Sequence, residues 1–114
     1  MIGKGVSYSQ FRKHINGDDS NEPAPDTIYH RALYSQAVLE SGRFTSNIWN
    51  QTKNAFGMRP SVSRHKFYSW KLTTASGDYA GYDKHKDTID DRIDLDRNFK
   101  RNTDLKNSQD LTDY

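Results

Sequence analysis

A single glutamate stands where a helix is expected to end. Glu40 follows three apolar residues and precedes Ser41 and Gly42. The carbonyl groups at a helix C-terminus carry partial negative charge, which disfavours an ionised carboxylate, and partial burial beside aromatic residues would act in the same direction. A carboxylic acid that keeps its proton near neutral pH can protonate the leaving oxygen when a glycosidic bond is cleaved. Glu40 is therefore a candidate general acid, although a surface role is the commoner case for one glutamate at a helix end.

The residues around Glu40 form the first of two motifs that occur in order. The first motif is Gln36-Ala37-x-Leu39-Glu40-Ser41-Gly42, and the second is Asn54-x-Phe56-Gly57-Met58-Arg59. Together they resemble the signature of the glucosaminidase domains grouped as glycoside hydrolase family 73, which are lysozyme-like peptidoglycan hydrolases. A weaker third element of that family is similar to Tyr82, Asp87, Thr88, Ile89 and Asp91. The resemblance covers residues 27–99, and compact variants of this kind occur in phages of gut bacteria.

The resemblance implies a fold and an activity. The expected fold is α+β, mainly α: a lysozyme-like domain with a small β-hairpin lobe beside a glycan groove. The expected reaction is hydrolysis of β-1,4 glycosidic bonds in the peptidoglycan strand, of the N-acetylglucosaminidase or muramidase type, with Glu40 as general acid. Tyr82 matches a tyrosine that would orient the substrate acetamido group or the attacking water. Packing of Tyr82 on the core is an equally weighted interpretation.

The remaining matched residues are candidates for substrate binding. Asn54 would either donate a hydrogen bond to a sugar or cap a backbone group. Phe56, Gly57 and Met58 resemble the turn that shapes the cleft floor, a role that is structural rather than chemical. Trp70 lies in the stretch 64–71, where bases alternate with aromatic residues. That stretch fits core packing first, sugar stacking second, and single-stranded nucleic acid a distant third.

The sequence departs from the family in its second carboxylate. Many relatives carry an acidic residue on the β-hairpin, yet no Asp or Glu occurs between Arg59 and Gly77. Asp78 and Asp83 are the nearest substitutes, and a mechanism with two carboxylates is therefore in doubt. The substrate acetamido group or a water held by Tyr82 would then take part. A structural or glycan-binding module of a virion or cell wall, with little catalytic activity, is the alternative function.

The helix that ends near Glu40 has its own sequence signals. Asp26 follows a proline and can accept backbone N–H groups of a first turn, which predicts it as the N-cap. Gly42 suits the left-handed position that follows a helix. The apolar residues between them recur at near-helical spacing, which predicts a helix. They are Ile28, Ala32, Leu33, Ala37 and Leu39.

Other elements follow from the same kinds of pattern. A short helix is expected around Ser9–Ile15, and Ser46 is a plausible N-cap for another. Residues 67–74 are rich in aromatic and β-favouring side chains and predict a hairpin with residues 79–82. A last helix is predicted over Lys86–Phe99. Its residues expected to face inward are Ile89, Ile93 and Phe99.

Length and composition set the scale of the domain. The chain has 114 residues, of which 32% are hydrophobic, and this fits one domain with a small core. We predict an N-terminal extension over 1–25, the lysozyme-like domain over 26–100 and a polar C-terminal tail over 101–114. The two polar arms are expected either to dock on other virion proteins or on a second copy of the chain, or else to be mobile in solution.

Metal and cofactor binding are not expected from the sequence. The chain has no cysteine, and its four histidines show no spacing typical of a metal site. The acidic run between Asp87 and Asp96 lacks the glycine and closing glutamate of an EF-hand. A solvated helix face is the preferred interpretation of that run.

The expected place of action lies outside the cytoplasm. Met1–Gln10 lacks the features of a secretory signal, and no apolar stretch is long enough for membrane insertion. Association with a phage virion, or release on lysis, would deliver the protein to its partner, the peptidoglycan strand. The net charge of +2 does not choose between wall and nucleic acid, and we do not predict a nucleic-acid partner.

Overall fold

The computed structural model describes residues 5–106, with side chains described for residues 5–99. This part of the chain consists of four helices and one β-hairpin. Within that range the helices are α1 (Tyr8–Asn16), α2 (Ile28–Glu40), α3 (Asn47–Thr52) and α4 (His85–Lys106). The strands are β1 (Trp70–Thr74) and β2 (Gly77–Gly81), and a short 3-10 turn spans Val62–Arg64. The result is a small compact α+β domain, as the sequence predicts at this level. No helix of the described range combines the length and apolar character needed to cross a bilayer.

Hydroxyl side chains cap the first three helices. Ser46 caps α3 as predicted, accepting a hydrogen bond from the backbone of the third residue that follows it. The prediction of Asp26 as the cap of α2 is wrong, because Thr27 occupies that position. Asp26 instead accepts two hydrogen bonds from the Arg31 guanidinium, at 2.8 and 3.0 Å, and one from the Tyr8 hydroxyl at 2.6 Å. Its carboxylate therefore joins α1 to α2.

The chain turns sharply after α2. Gly42 has φ 61° and is left-handed as predicted, and Arg43 and Phe44 follow with φ 60° and 61°. Left-handed non-glycine residues cost about 1–3 kcal/mol each and persist only where the surroundings hold them. Here the Phe44 ring is buried, and its backbone N–H donates to the Ser41 hydroxyl at 2.8 Å. Core packing thus fixes the backbone that directly follows Glu40.

The core draws on more of the chain than the sequence predicts. Its buried cluster consists of Phe11, Leu33, Ala37, Phe44, Trp49, Ala55, Phe56, Met58 and Ile89. Because Phe11 is only 2% exposed and α1 packs against α2 and α4, residues 8–16 are part of the domain. The predicted division after residue 25 is therefore wrong for α1. The place of α1 in the core is hard to predict from the sequence, because this helix contains few large apolar residues.

The last helix is longer than predicted. It continues through Lys106, so the first residues of the predicted tail over 101–114 are helical, and residues 107–114 lie outside the described part of the chain. Ile89 and Ile93 pack on the core as expected. Phe99 is 58% exposed, and Ile28 and Leu39 of α2 are also exposed. Phe99 comes six residues after Ile93, which at 3.6 residues per turn puts it on another face of the helix.

The hairpin is attached to the helices through its second strand. β1 and β2 pair antiparallel, with Trp70 opposite Gly81. Along β2, the Ala80 N–H donates to the Met58 carbonyl at 3.0 Å, and just beyond it the Tyr82 N–H donates to the Thr52 carbonyl at 2.8 Å. The hairpin therefore extends from the turn that follows α3.

We predict that Phe11→Ala lowers the free energy of unfolding by about 3–5 kcal/mol, since it leaves a cavity in the core. Chemical denaturation followed by circular dichroism measures this. The matched control is Ile28→Ala, which removes an 84% exposed side chain and should change stability by no more than about 0.5 kcal/mol. Equal effects of the two substitutions would show that α1 is not part of the cooperative unit.

Candidate functional site

The end of α2 meets the Asn54–Met58 turn at Glu40. One carboxylate oxygen of Glu40, Oε2, accepts a hydrogen bond from Gln36 Nε2 one helical turn earlier, at 3.0 Å. The other, Oε1, lies over Gly57, where an added Cβ would stand 3.3 Å away. Glu40 is exposed, so the predicted partial burial beside aromatic residues is wrong. The fold nevertheless brings together the two motifs that the sequence keeps apart.

The side chain of Asn54 holds that turn in place. It is 1% exposed, and its amide nitrogen donates to the carbonyl oxygens of Met58 and Ala80, both at 2.9 Å. Its amide oxygen accepts from the Met58 N–H at 2.9 Å. An amide group has two N–H donors, and both are used inside the protein. Asn54 therefore caps backbone groups, which is the second of the two roles considered for it from the sequence.

The other residues of the turn divide between core and surface. Phe56 and Met58 are 4% and 5% exposed and belong to the core cluster, so they support the turn from beneath. Gly57 is partly exposed, with φ 65°. A side chain there would be both strained and close to the Glu40 carboxylate. Of the three residues predicted to line the cleft, Gly57 is the one that reaches Glu40.

Tyr82 belongs to a buried ionic network. Its hydroxyl donates to Asp91 Oδ2 at 2.5 Å, and Arg64 Nη1 donates to Asp91 Oδ1 at 2.8 Å. Tyr82 is 2% exposed and Asp91 fully buried. Burial, followed by the hydrogen bond to Asp91, raises the pKa of the Tyr82 hydroxyl far above its usual range. The hydroxyl is thus committed to Asp91, which supports core packing over the predicted contact with substrate or water.

The same network corrects one interpretation and reveals a missed residue. Asp91 is part of the acidic run that was expected to be solvated, yet it faces the interior. Arg64 is 9% exposed, and its second guanidinium nitrogen donates to the Arg59 carbonyl at 3.1 Å. Arg64 carried no local signal, because its partner stands on another element, 27 residues along the chain.

Trp70 is the hairpin residue that is a candidate for stacking on a sugar, and its side chain is accessible. It is 41% exposed. Its ring lies against Gly81 on the neighbouring strand and leaves no room there for a Cβ atom. One face of the indole is therefore supported by backbone, an arrangement that suits an aromatic platform for a sugar ring.

Asp78 lies in a separate, mixed-charge groove. The groove has a volume of about 770 Å³ and is lined by Arg59, Pro60, Ser61, Val62, Tyr68, Lys71, Ser76, Gly77 and Asp78. Thr73 Oγ1 donates to Asp78 Oδ1 at 2.8 Å, and Lys71 Nζ lies 3.4 Å from Oδ2. The hydrogen bond from Thr73, with help from Lys71, lowers the pKa of Asp78. Glu40 is not among the residues that line this groove.

A second groove follows the last turns of α2 itself. It has a volume of about 660 Å³ and is lined by Ser35, Val38, Leu39, Gly42 and Arg43.

Asp83, the other candidate for a second carboxylate, is exposed and accepts a hydrogen bond from the Ser69 hydroxyl at 2.8 Å.

Two histidines meet although their spacing gave no sign of it. His14 Nε2 and His85 Nδ1 are 3.1 Å apart, although the two residues are 71 positions apart in the sequence. Asp18 completes the group, with one ligand atom from each residue within 4.8 Å of the others. Burial lowers the pKa of both rings. Among the described side chains, this cluster has the nitrogen and oxygen donors that a metal site requires.

Comparisons with protein-family models, with curated proteins and with solved structures give no significant match.

The buried network leads to a prediction about stability. Arg64→Met should cost about 3–5 kcal/mol, because it leaves the fully buried carboxylate of Asp91 without its cation. Lys71→Met is the control, since it removes a lysine from an exposed ion pair with Asp78 that is worth about 0–1 kcal/mol. Urea denaturation measures both variants. A loss below about 1 kcal/mol for Arg64→Met would contradict the assignment of Arg64 as the cation that compensates the buried Asp91 carboxylate.

Proposed function

We propose that this protein is a peptidoglycan hydrolase that cleaves β-1,4 glycosidic bonds of the glycan strand, with Glu40 as the general acid. The observation that carries the proposal is the contact between the Glu40 carboxylate and Gly57. It joins the two halves of a motif pair that resembles lysozyme-like glucosaminidases. The carboxylate is also exposed, as an acid that must reach a polymeric substrate has to be.

Glu40 is oriented by its neighbours on both sides. The Gln36 amide fixes one oxygen, and the absence of a side chain at Gly57 leaves space beside the other. In the proposed reaction the protonated carboxyl group donates its proton to the leaving glycosidic oxygen as the bond to C1 breaks. The exposed face of Trp70 is the proposed stacking surface for a sugar ring.

The nucleophile is proposed to come from the substrate. Asp78 is paired with Lys71 and Thr73 in the other groove, and the Tyr82 hydroxyl is buried against Asp91. The acetamido oxygen of the sugar would then attack C1 and form a cyclic intermediate, which water opens. The resemblance favours the bond that follows N-acetylglucosamine. The proposed place of action is outside the cytoplasm, with delivery by a phage particle or by lysis.

A glycan-binding module with little catalysis is the second candidate function. It is favoured by the pairing of Asp78 with Lys71 and Thr73 and by the hydrogen bond of the buried Tyr82 hydroxyl to Asp91. Such a module would keep the grooves and Trp70 but would not need Glu40 as an acid. Cosedimentation with purified peptidoglycan, combined with a lysis assay, distinguishes binding from cleavage.

We predict that Glu40→Gln lowers the rate of lysis on purified peptidoglycan about a hundredfold to ten-thousandfold, with little change in the thermal midpoint. Glutamine keeps the size of the side chain and removes the proton to be donated. Glu22→Gln is the matched control, because the chain's other glutamate is also exposed. Wild-type lysis by the Glu40 variant would refute the catalytic assignment, and intact binding without lysis in the wild type would support the second candidate.

A second prediction tests the contact that carries the proposal. Gly57→Ala introduces a Cβ atom 3.3 Å from Glu40 Oε1 and should lower lysis per folded molecule on the order of tenfold to a hundredfold. Gly17→Ala is the control, since Gly17 also has a positive φ, of 144°, but no atom lies near its Cβ position. Both variants carry backbone strain, so only a loss specific to Gly57→Ala reports on Glu40. Equal activities of the two folded variants would contradict the proposed role of this contact.

A further inference from the structure

The first turn of α4 and the last turn of α1 bring two imidazole groups together. His14 Nε2 and His85 Nδ1 are 3.1 Å apart. Two nitrogens bound to one tetrahedral zinc ion, each at about 2.0–2.1 Å, lie roughly 3.3 Å from one another. The observed separation is therefore close to that of two histidine ligands that share one ion. We propose that His14 and His85 bind a zinc-class divalent transition metal ion that fastens α1 to α4.

The second ring nitrogen of His14 provides an independent argument. His14 Nδ1 is buried and has no hydrogen-bond partner, and it lies 4.0 Å from Asp18 Oδ1. Histidines that bind a metal through one nitrogen usually donate the other N–H to a carboxylate. Binding of the metal at Nε2 would put the proton on Nδ1, facing Asp18. A small rotation of the ring would then satisfy the buried nitrogen.

Asp18 is already held in position by α4. Its two carboxylate oxygens accept the backbone N–H groups of His85 and Lys86, at 3.0 and 2.8 Å. The carboxylate thus caps the helix that carries one ligand and faces the ring that carries the other. Its negative charge also offsets part of the charge of a divalent ion. We assign Asp18 the role of positioning residue for His14.

Other neighbours complete the coordination chemistry. The Gln10 amide lies 3.5 Å from His14 Nε2, and rotation of the amide group would present its oxygen as a third ligand. The ring of Trp49 stacks on His85 with centroids 5.0 Å apart, which limits the movement of that ligand. Imidazole and oxygen donors without thiolate favour zinc, nickel or copper over calcium or magnesium.

The test is a titration of the untagged full chain with zinc chloride, in which the heat of binding is measured by calorimetry. We expect one ion per chain with micromolar affinity and a higher thermal midpoint. His85→Gln should weaken binding by on the order of a hundredfold or more, and Asp18→Asn by about tenfold to a hundredfold. His65→Gln is the control, because His65 is exposed and its ring faces the Val62 carbonyl. No saturation at about 1 mM zinc, or equal weakening in the His65 and His85 variants, would overturn the proposal.

A second measurement keeps the test decisive if a variant fails to fold. Imidazole nitrogen signals of the wild-type chain, recorded by NMR during the titration, report each histidine separately. The proposal requires that the signals of His14 and His85 shift together at one equivalent, while those of His30 and His65 do not. Shifts confined to His30 or His65 would show adventitious surface binding and would refute the site. The outcome does not depend on the proposed hydrolase activity, since no substrate is present.

Discussion

The amide group of Asn54 is the interaction on which the arrangement around Glu40 depends. It accepts a hydrogen bond from the Met58 N–H and donates to the carbonyl oxygens of Met58 and, on β2, Ala80. A buried amide with its donors and acceptor satisfied fixes the turn in one conformation, because each broken bond would leave a buried polar group without a partner. Gly57 therefore has a defined position, and this position decides where the Glu40 carboxylate can lie. The position of an exposed carboxylate thus depends on a residue whose own side chain is buried.

A second buried polar group ties the hairpin to the last helix. Asp91 on α4 accepts hydrogen bonds from Tyr82, just after β2, and from Arg64 on the connecting segment. Burying a charge is costly, and an ion pair recovers the cost only when its geometry is good. Such a network therefore contributes mainly to specificity, since alternative packings would leave Asp91 unpaired. Together the Asn54 and Asp91 groups hold the small lobe against the helices with little apolar surface.

These two networks explain why several residues have structural rather than chemical roles. The polar groups of Asn54 and Tyr82 point inward, and Asp78 is paired across the hairpin with Lys71. Glu40 at the end of α2 and Trp70 on β1 are accessible, and Asp83 is exposed but accepts a hydrogen bond from the Ser69 hydroxyl. One acid beside a glycine turn, with an aromatic surface on the hairpin, is a smaller set than a mechanism with two carboxylates requires. For this reason the proposed mechanism assigns the nucleophile to the substrate.

The sequence by itself determined the features that depend on neighbours within one or two turns. The cap at Ser46, the left-handed Gly42, the hairpin and the approximate spans of the helices follow from local backbone chemistry. Competition between adjacent residues was harder to predict: Asp26 and Thr27 can both cap α2, and the contacts of Asp26 with Tyr8 and Arg31 decided between them. Only the tertiary structure showed which apolar residues stay exposed, as Phe99 does. The helical period predicts which residues share one face of a helix, but it does not predict which other element packs against that face.

Long-range polar contacts were decided wholly by the tertiary structure. The meeting of His14 with His85 and the burial of Asp91 beside Arg64 join segments far apart in the chain. A histidine or an aspartate has the same local preferences whether it is solvated or buried. Its role depends on what the rest of the chain places against it, and a single sequence contains no local signal for that. The motif around Glu40 was visible because its residues are close in sequence, whereas its contact with Gly57 required the fold.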